Sequence, residues 1–255
     1  MEPNRDLDTF GNLLLRGNLQ SVIIDHGERV KRLMDNGLEF GAALEGVTSD
    51  LYALRWGPTE VPIYNLLGLF SQIVPAQRLK YHAFAEFFID GKVPVDGKDL
   101  SGTTALSHCF STKPSFDLGY AQILYSAGAD VNSRNRFGAT VAHEIVMVYG
   151  NEPEVLRRAT AALEWFLTHG GSVDIADGDG TAARVLVSRF RMLSSVVQKE
   201  DSRRKAAGAS SCSLCGRGEE KLLSCSRCKT AKYCSPAVRA CQKLDWPRHK
   251  KLCKC

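Results

Sequence analysis

The chain has 255 residues, 44% of them hydrophobic and 24% charged, which is enough for one or two domains with a sizeable core. Its apolar stretch at residues 66–74 is far shorter than the roughly 20 residues of a membrane-spanning helix, and no secretory or transit segment opens the sequence. These features argue against membrane and secreted proteins, so we expect a protein of the cytoplasm, the nucleus or both.

Apolar residues recur at helical spacing along the first two thirds of the chain. Helices are expected near residues 60–73 and 78–90. The two clearest stripes consist of Leu79, Ala83, Phe84, Phe87 and Phe88, and of Leu156, Ala159, Leu163 and Phe166. The pattern predicts a mainly α fold.

A similar segment occurs three times after the predicted helix at residues 78–90. Two copies start at Gly128 and Gly170, and a third at Gly91, so the spacings are 37 and 42 residues. The segments resemble ankyrin repeats, whose word GADVN is present at residues 128–132, while their TPLH-type word is matched only loosely by GTTALSHC and GATVAHEI. The resemblance implies turns that connect stacked helix pairs.

The ankyrin resemblance implies a degenerate helical solenoid over residues 1–198, with the clearest repeats at about 88–198. A weaker copy starts at residues 30–40, and residues 1–27 and 181–197 are expected to cap the ends. The concave face of such a solenoid would hold a second, folded protein.

Two motifs in this region are similar to enzyme signatures, but each departs from its signature at a decisive position. His143-Glu144 is followed by Met147, where a His-Glu-x-x-His metalloprotease needs its second ligand. Gly178-x-Gly180 partly matches a dinucleotide-binding fingerprint, yet no second strand follows its helix. We therefore predict no active site and no enzymatic activity.

Residues 199–211, KEDSRRKAAGASS, are polar and small, which predicts a linker before a cysteine-rich end. Residues 212–255 contain paired cysteines and further Cys and His residues at metal-ligand spacing. They are Cys212, Cys215, Cys225, Cys228, Cys234, Cys241, His249 and Cys253. Eight ligands match two tetrahedral Zn²⁺ ions, whose binding would stabilise a segment too short to fold alone.

The words CSLCG, CSRC, KYCS and CQKLDWPRHKKLC resemble the MYND-type zinc finger, a family of protein-interaction modules. The resemblance implies cross-braced ligands. Cys212, Cys215, Cys234 and Cys241 would hold the first zinc, and Cys225, Cys228, His249 and Cys253 the second. Cys255 is a spare thiol.

The chain departs from the family at one point. Six residues, 235–240, separate Cys234 from Cys241, where the family usually has three. On one continuous helix these cysteines would lie ~10.5 Å apart, whereas two sulfurs on one zinc lie roughly 3.8 Å apart. Either the insertion loops out, helped by Pro236, or the first site is partly lost, or the insertion reflects a misplaced exon boundary.

Members of this family commonly bind short proline-containing peptides in a shallow groove beside the second zinc. The matching residues here are Ser226, Gln242 and Trp246, of which the last two share a helical face. Trp246 would stack on a proline ring and Gln242 would bind the peptide backbone. The alternative is that Trp246 only caps the small core of the finger.

Together these patterns predict an adaptor or scaffold in transcriptional or signalling regulation, with an unspecified oligomeric state. A RING-like ubiquitin ligase component is one alternative, although Lys232-Tyr233-Cys234 stands where a RING has its Cys-x-His pair. A nucleic-acid-associated regulator is another, since residues 199–255 hold fifteen Lys and Arg against five Asp and Glu. Direct nucleic-acid binding is not expected, because the zinc thiolates consume about three of those charges and no base-reading helix is evident.

Overall fold

A computed structural model describes residues 7–111, 116–147, 152–218, 221–235 and 240–253. The described residues are mainly helical and divide into two compact units, Met1–Asp130 and Val131–Cys255. None of their helices is long and apolar enough to cross a membrane. The first unit contains α1 (Thr9–Arg16), α2 (Leu19–Asp35), α3 (Phe40–Ala53), α4 (Ile63–Ile73), α5 (Arg78–Asp90), α6 (Ala105–Ser111) and α7 (Leu118–Ser126).

The first unit is built from helix pairs. Helices α2 and α3, α4 and α5, and α6 and α7 pack side by side, and α4 also contacts α6. The buried face of α5 carries Tyr81, Phe84 and Phe88. The predicted stripe is wrong at Leu79, which is 80% exposed because it lies in the first turn of α5, on the side that faces away from this core.

Three turns with the same hydrogen bonds connect successive helix pairs. Asp99, Asn135 and Asp177 open these turns, and the Oδ1 atom of each accepts backbone N–H bonds from the residues two and four positions later, at 2.8 to 3.0 Å. The third residue after each is a glycine in the left-handed region, and these are Gly102, Gly138 and Gly180. Because the same bonds recur three times, the repeats predicted from the sequence are also repeats of structure.

In the structure, one repeat is offset by one residue from the alignment that the sequence predicts. The helix-ending position with positive φ is Gly128 in one copy and Gly170 in the next, with φ of 98° and 84°. In the preceding copy it is Lys92, with φ of 64°, whereas Gly91 has φ of −70°. Alignment on Gly91 is therefore wrong, because a lysine occupies the position where glycine is usual. The weak copy at residues 30–40 lacks a hydrogen-bonded turn of the kind that Asp99 opens, since α3 begins almost at once.

The second unit contains α8 (Val141–Val146), α9 (Pro153–Thr168), α10 (Ala183–Val187), α11 (Arg191–Ala207), β1 (Leu223–Ser224), β2 (Lys232–Tyr233) and α12 (Cys241–His249). Helices α8 and α9 form a pair, as do α10 and α11, and α9 packs along α11. Within this unit His143 binds the turns on both sides. Its Nδ1 accepts the Thr140 N–H at 3.1 Å, and its Nε2 lies 3.0 Å from the carbonyl oxygen of Thr181.

The segment predicted as a linker is mostly helical. Helix α11 continues through residue 207, and a single 3-10 turn, Gly208–Ser210, precedes the cysteine-rich end. Arg203 and Arg204 each bind Glu200 one helical turn earlier, at 2.7 and 2.6 Å. These pairs support a helix in a run of residues whose polarity indicated a flexible segment.

Replacement of Gly138 by alanine is expected to destabilise the second unit by about 2–4 kcal/mol. Gly138 has φ of +77°, and an added Cβ would lie 2.6 Å from the backbone nitrogen of Gly178, so strain and a backbone clash combine. The matched control is Gly180→Ala, where φ is +83° and nothing lies within 4 Å of the added atom. That control should cost about 1 kcal/mol. Thermal denaturation of the zinc-loaded chain measures both, and equal losses would contradict the clash.

Candidate metal centre

Cys212 and Cys215 lie in a turn that follows the 3-10 turn at the end of α11. The N–H of Cys212 donates to the carbonyl of Arg217 at 2.8 Å, and the N–H of Gly216 donates to the carbonyl of Cys212 at 2.9 Å. The N–H of Ser213 reaches the carbonyl of Lys232 in β2 at 2.7 Å. This contact brings the first cysteine pair to the strand that precedes Cys234.

The second cysteine pair lies between the two strands. Strands β1 and β2 are antiparallel, and just beyond them the N–H of Cys225 donates to the carbonyl of Ala231 at 2.7 Å. Backbone N–H groups of Cys228 and Arg227 lower the pKa of the Cys225 thiol to about 6. Amide donors directed at a sulfur favour the thiolate, which is the form that binds a metal.

The buried face of helix α12 carries two zinc ligands and one carboxylate. Cys241, Asp245 and His249 recur every four residues and are all buried. Cys253 follows one turn later, where its N–H donates to the carbonyl of His249 at 2.8 Å. Ligands from the two separate zinc groups are therefore fixed to one short helix.

The eight predicted ligands come together in two groups of four. Within each group the ligand atoms all lie within 4.8 Å of one another. The groups are Cys212, Cys215, Cys234 and Cys241, and Cys225, Cys228, His249 and Cys253. Sulfur separations of 3.5 Å between Cys215 and Cys234 and 3.9 Å between Cys225 and Cys253 suit the ~3.8 Å of a tetrahedral zinc site. All-sulfur and three-sulfur, one-nitrogen sets are typical structural zinc sites, and the prediction of two Zn²⁺ ions is confirmed.

The insertion leaves the first group complete. Cys234 follows strand β2, whereas Cys241 is the first residue of α12, so the two do not share a helix. The chain thereby avoids the long separation that a continuous helix would impose. Residues 236–239, which include Pro236, and residue Cys255 lie outside the described residues.

A buried carboxylate that the motifs did not predict, Asp245, lies on α12 between a ligand of the first zinc group and a ligand of the second. Asp245 accepts a hydrogen bond from the hydroxyl of Tyr233 at 2.7 Å and another from Nε of Arg248 at 2.7 Å. Burial, together with the bond to Asp245, raises the pKa of Tyr233. The position of Asp245, four residues from both Cys241 and His249, was the available signal that it faces inward.

The cysteine-rich end packs on the last helix pairs within the second unit. Arg204 of α11 donates to the carbonyl oxygens of Leu214 and Gly171, and Arg217 donates to the carbonyl of His169 at 3.0 Å. Ile175, from the last repeat turn, lies in the same buried cluster as the first zinc group. No side-chain pattern pointed to these contacts, because most of the acceptors are backbone carbonyls.

A groove of about 530 Å³ lies beside these groups. All three residues predicted to contact a peptide, Ser226, Gln242 and Trp246, line it. Its other lining residues are Cys225, Arg227, Cys234, Ala240 and Lys243. Trp246 is half-buried, and its ring centre lies 6.0 Å from that of the zinc ligand His249.

The MYND finger family profile matches residues 212–253. The chain is 54% identical over 44 residues to human histone-lysine N-methyltransferase SMYD3, which is 17% of this chain and 10% of that protein. It is 47% identical over 58 residues to Dauer abnormal formation protein 25 of Caenorhabditis elegans, which is 23% of this chain and 14% of that protein. The chain thus spans a small fraction of these relatives, and the match to the methyltransferase is confined to the finger.

Among solved structures, the ankyrin repeat protein EF0377 is similar at a TM-score of 0.33 and 13% identity, covering 61% of this chain and 92% of that one. The repeats of the present chain are recognised from their own three recurring turns. The profile match and the two ligand groups agree on the same residues. Residues 212–253 are a MYND-type zinc finger, and degenerate ankyrin-like repeats precede it.

Proposed function

We propose that the chain is an adaptor in transcriptional or signalling regulation, whose finger binds a short proline-containing peptide while its repeats hold a second protein. The finger and the repeats are both kinds of interaction module. The observation that carries the proposal is the groove formed by Ser226, Gln242 and Trp246 beside the zinc ligands. Because so many ligand thiols must stay reduced, the proposal places the chain in the cytoplasm or nucleus.

The groove suits an extended peptide. Its volume, about 530 Å³, lies within the roughly 300–1,000 Å³ of small-ligand sites. The half-buried ring of Trp246 offers a flat apolar surface for a proline ring, and the Gln242 amide offers both a donor and an acceptor to a peptide backbone. Two zinc ligands, Cys225 and Cys234, also line the groove. Metal binding would therefore hold its walls in place before the peptide arrives, which lowers the entropic cost of binding.

Within each unit, a repeat turn offers exposed surface to a protein partner. Leu100 in one turn is 50% exposed, and Phe137 in the next is 60% exposed with the Arg136 guanidinium 4.7 Å from its ring centre. Large apolar side chains at the tips of turns are suited to contact another protein. In the second unit, the packing of the finger on α9 and α11 would hold its groove at a fixed distance from the Phe137 turn.

Replacement of Trp246 by alanine should weaken binding of a fluorescein-labelled, proline-containing peptide to the full zinc-loaded chain by about tenfold or more. Aromatic side chains that anchor a peptide in a pocket commonly contribute at least 2 kcal/mol. Fluorescence anisotropy measures the affinity, and native mass spectrometry checks that both zinc ions remain bound.

The matched control is Leu252→Ala. Leu252 is an apolar finger residue that is 67% exposed and does not line the groove. It should leave both the affinity and the zinc content unchanged. Equal losses in the two variants, or none in Trp246→Ala, would contradict peptide binding in this groove.

A further inference from the structure

The peptide groove has a basic rim. Arg227 and Lys243 line it, and both are exposed. Residues 212–253 contain ten Lys and Arg against three Asp and Glu. Seven cysteine thiolates and two Zn²⁺ ions contribute about three further negative charges, which leaves the loaded finger with a net charge of about +4.

The lysine of this rim has no carboxylate partner among the described residues. Asp245 is the one acidic residue in the described part of the finger, and its two oxygens bind Tyr233 and Arg248 on the buried face of α12. Lys243 forms no ion pair within the described ranges of the chain. Its ammonium group is thus available to a carboxylate from a partner.

Lys243 is also placed to act together with the peptide-stacking residue. It lies next to Gln242 and three residues before Trp246 on α12, so its side chain emerges on the same side of the helix as the ring of Trp246. An extended peptide advances about 3.1–3.4 Å per residue. A proline stacked on Trp246 would therefore bring side chains one to three positions away within reach of the flexible lysine.

We propose that the finger selects proline-containing peptides that carry Asp or Glu within about three residues of the proline, with Lys243 as the selecting residue. This inference rests on the proposed peptide-binding function and specifies its ligand. The mostly apolar wall that Trp246 and Ala240 form favours a peptide over duplex DNA, whose phosphates would use the charges alone.

The test is selection of a phage-displayed library with one fixed proline among randomised positions, against the full zinc-loaded chain. Binders should be enriched in Asp and Glu near the proline. A synthetic peptide with Glu at those positions should then bind about threefold to tenfold more tightly than its Gln counterpart. The difference should shrink as salt is added, because exposed charges are screened.

Lys243→Glu should abolish the preference for Glu and favour a Lys-substituted peptide. Lys251→Glu makes the same charge change at an exposed finger residue outside the groove, and should keep the preference. Proline-dependent binding without an acidic preference would overturn this inference and leave the adaptor function standing. Failure to recover any Trp246-dependent peptide would overturn the adaptor function itself. Displacement of the acidic peptide by random duplex DNA, in a manner that depends on Lys243, would assign the rim to phosphates instead.

Discussion

Replacement of Cys215 by serine is expected to remove one zinc ion and to unfold the finger in the full chain. Cys215 is completely buried, and its sulfur lies 3.5 Å from that of Cys234. A serine hydroxyl does not replace a thiolate ligand of zinc, and the remaining three sulfurs would be left around an incomplete site. The loss should be large, since structural zinc sites contribute on the order of 10 kcal/mol to the folding of small modules.

The two zinc groups should respond differently to ligand loss. Cys215 lies against the last repeat, where a Cβ added at Gly170 would meet the Cβ of Cys215 at 3.5 Å. Cys228, in the second group, is only half-buried and lies outside the finger's fully buried core. Cys215→Ser should therefore destabilise α9 as well as the finger. Cys228→Ser should mainly loosen the groove and abolish peptide binding.

Native mass spectrometry of the full chain measures zinc content, and hydrogen exchange measures the local effects. Cys109→Ser is the control, because Cys109 is a buried cysteine in the first unit that belongs to neither ligand group. It should retain two zinc ions. A Cys215→Ser chain that also retained two ions and its full melting temperature would contradict the assignment of the first group.

The ligands were predictable because zinc chemistry constrains residue type and spacing along the chain. Two Cys-x2-Cys pairs and His249-x3-Cys253 specify their geometry locally, and both groups assemble as the family resemblance implied. The outcome of the insertion was not predictable. Whether Cys234 and Cys241 approach one another depends on where β2 ends and α12 begins, and the motif spacing does not determine those ends.

The repeats were predictable where glycine marks a left-handed backbone, and less so where another residue adopts it. Lys92 takes the position of Gly128, which displaced the predicted register of the first of the three clear copies by one residue. Periodicity also placed Leu79 on the buried stripe of α5. Apolar spacing identifies a face of a helix, but it does not show which turns along that face are covered by other helices. A single sequence contains no local signal for either result.

The supposed linker is the largest departure from the sequence-based interpretation, and it leads to a second strong prediction. Arg204→Ala should destabilise the second unit by about 3 kcal/mol and weaken the packing of the finger on the repeats. The Arg204 side chain is 18% exposed, and its guanidinium group binds Glu200, which is 8% exposed, as well as the carbonyl oxygens of Leu214 and Gly171. Its removal leaves these buried acceptors short of a donor, which is costly in a low-dielectric interior.

Arg203→Ala is a closely matched control for Arg204→Ala. Arg203 is the adjacent residue of α11 and binds the same Glu200, but its side chain is 51% exposed. Its main partner is that one carboxylate, while its contact with the carbonyl of Gly216 is long, at 3.5 Å. Because the Arg203 side of this pair is exposed and Glu200 keeps its bond to Arg204, this variant should lose only about 0–1 kcal/mol.

Thermal denaturation and hydrogen exchange, each with and without a zinc chelator, distinguish a docked finger from a tethered one. In the unmodified chain, zinc removal should increase exchange at the end of α9 as well as in the finger. The reason is that Arg204 and Arg217 hold these two parts together through bonds to backbone carbonyls. In Arg204→Ala the end of α9 should already exchange faster before chelation, and zinc removal should add less. If chelation never affected α9, or if the Arg203 and Arg204 variants lost equal stability, the finger would behave as an independent module joined only by the chain.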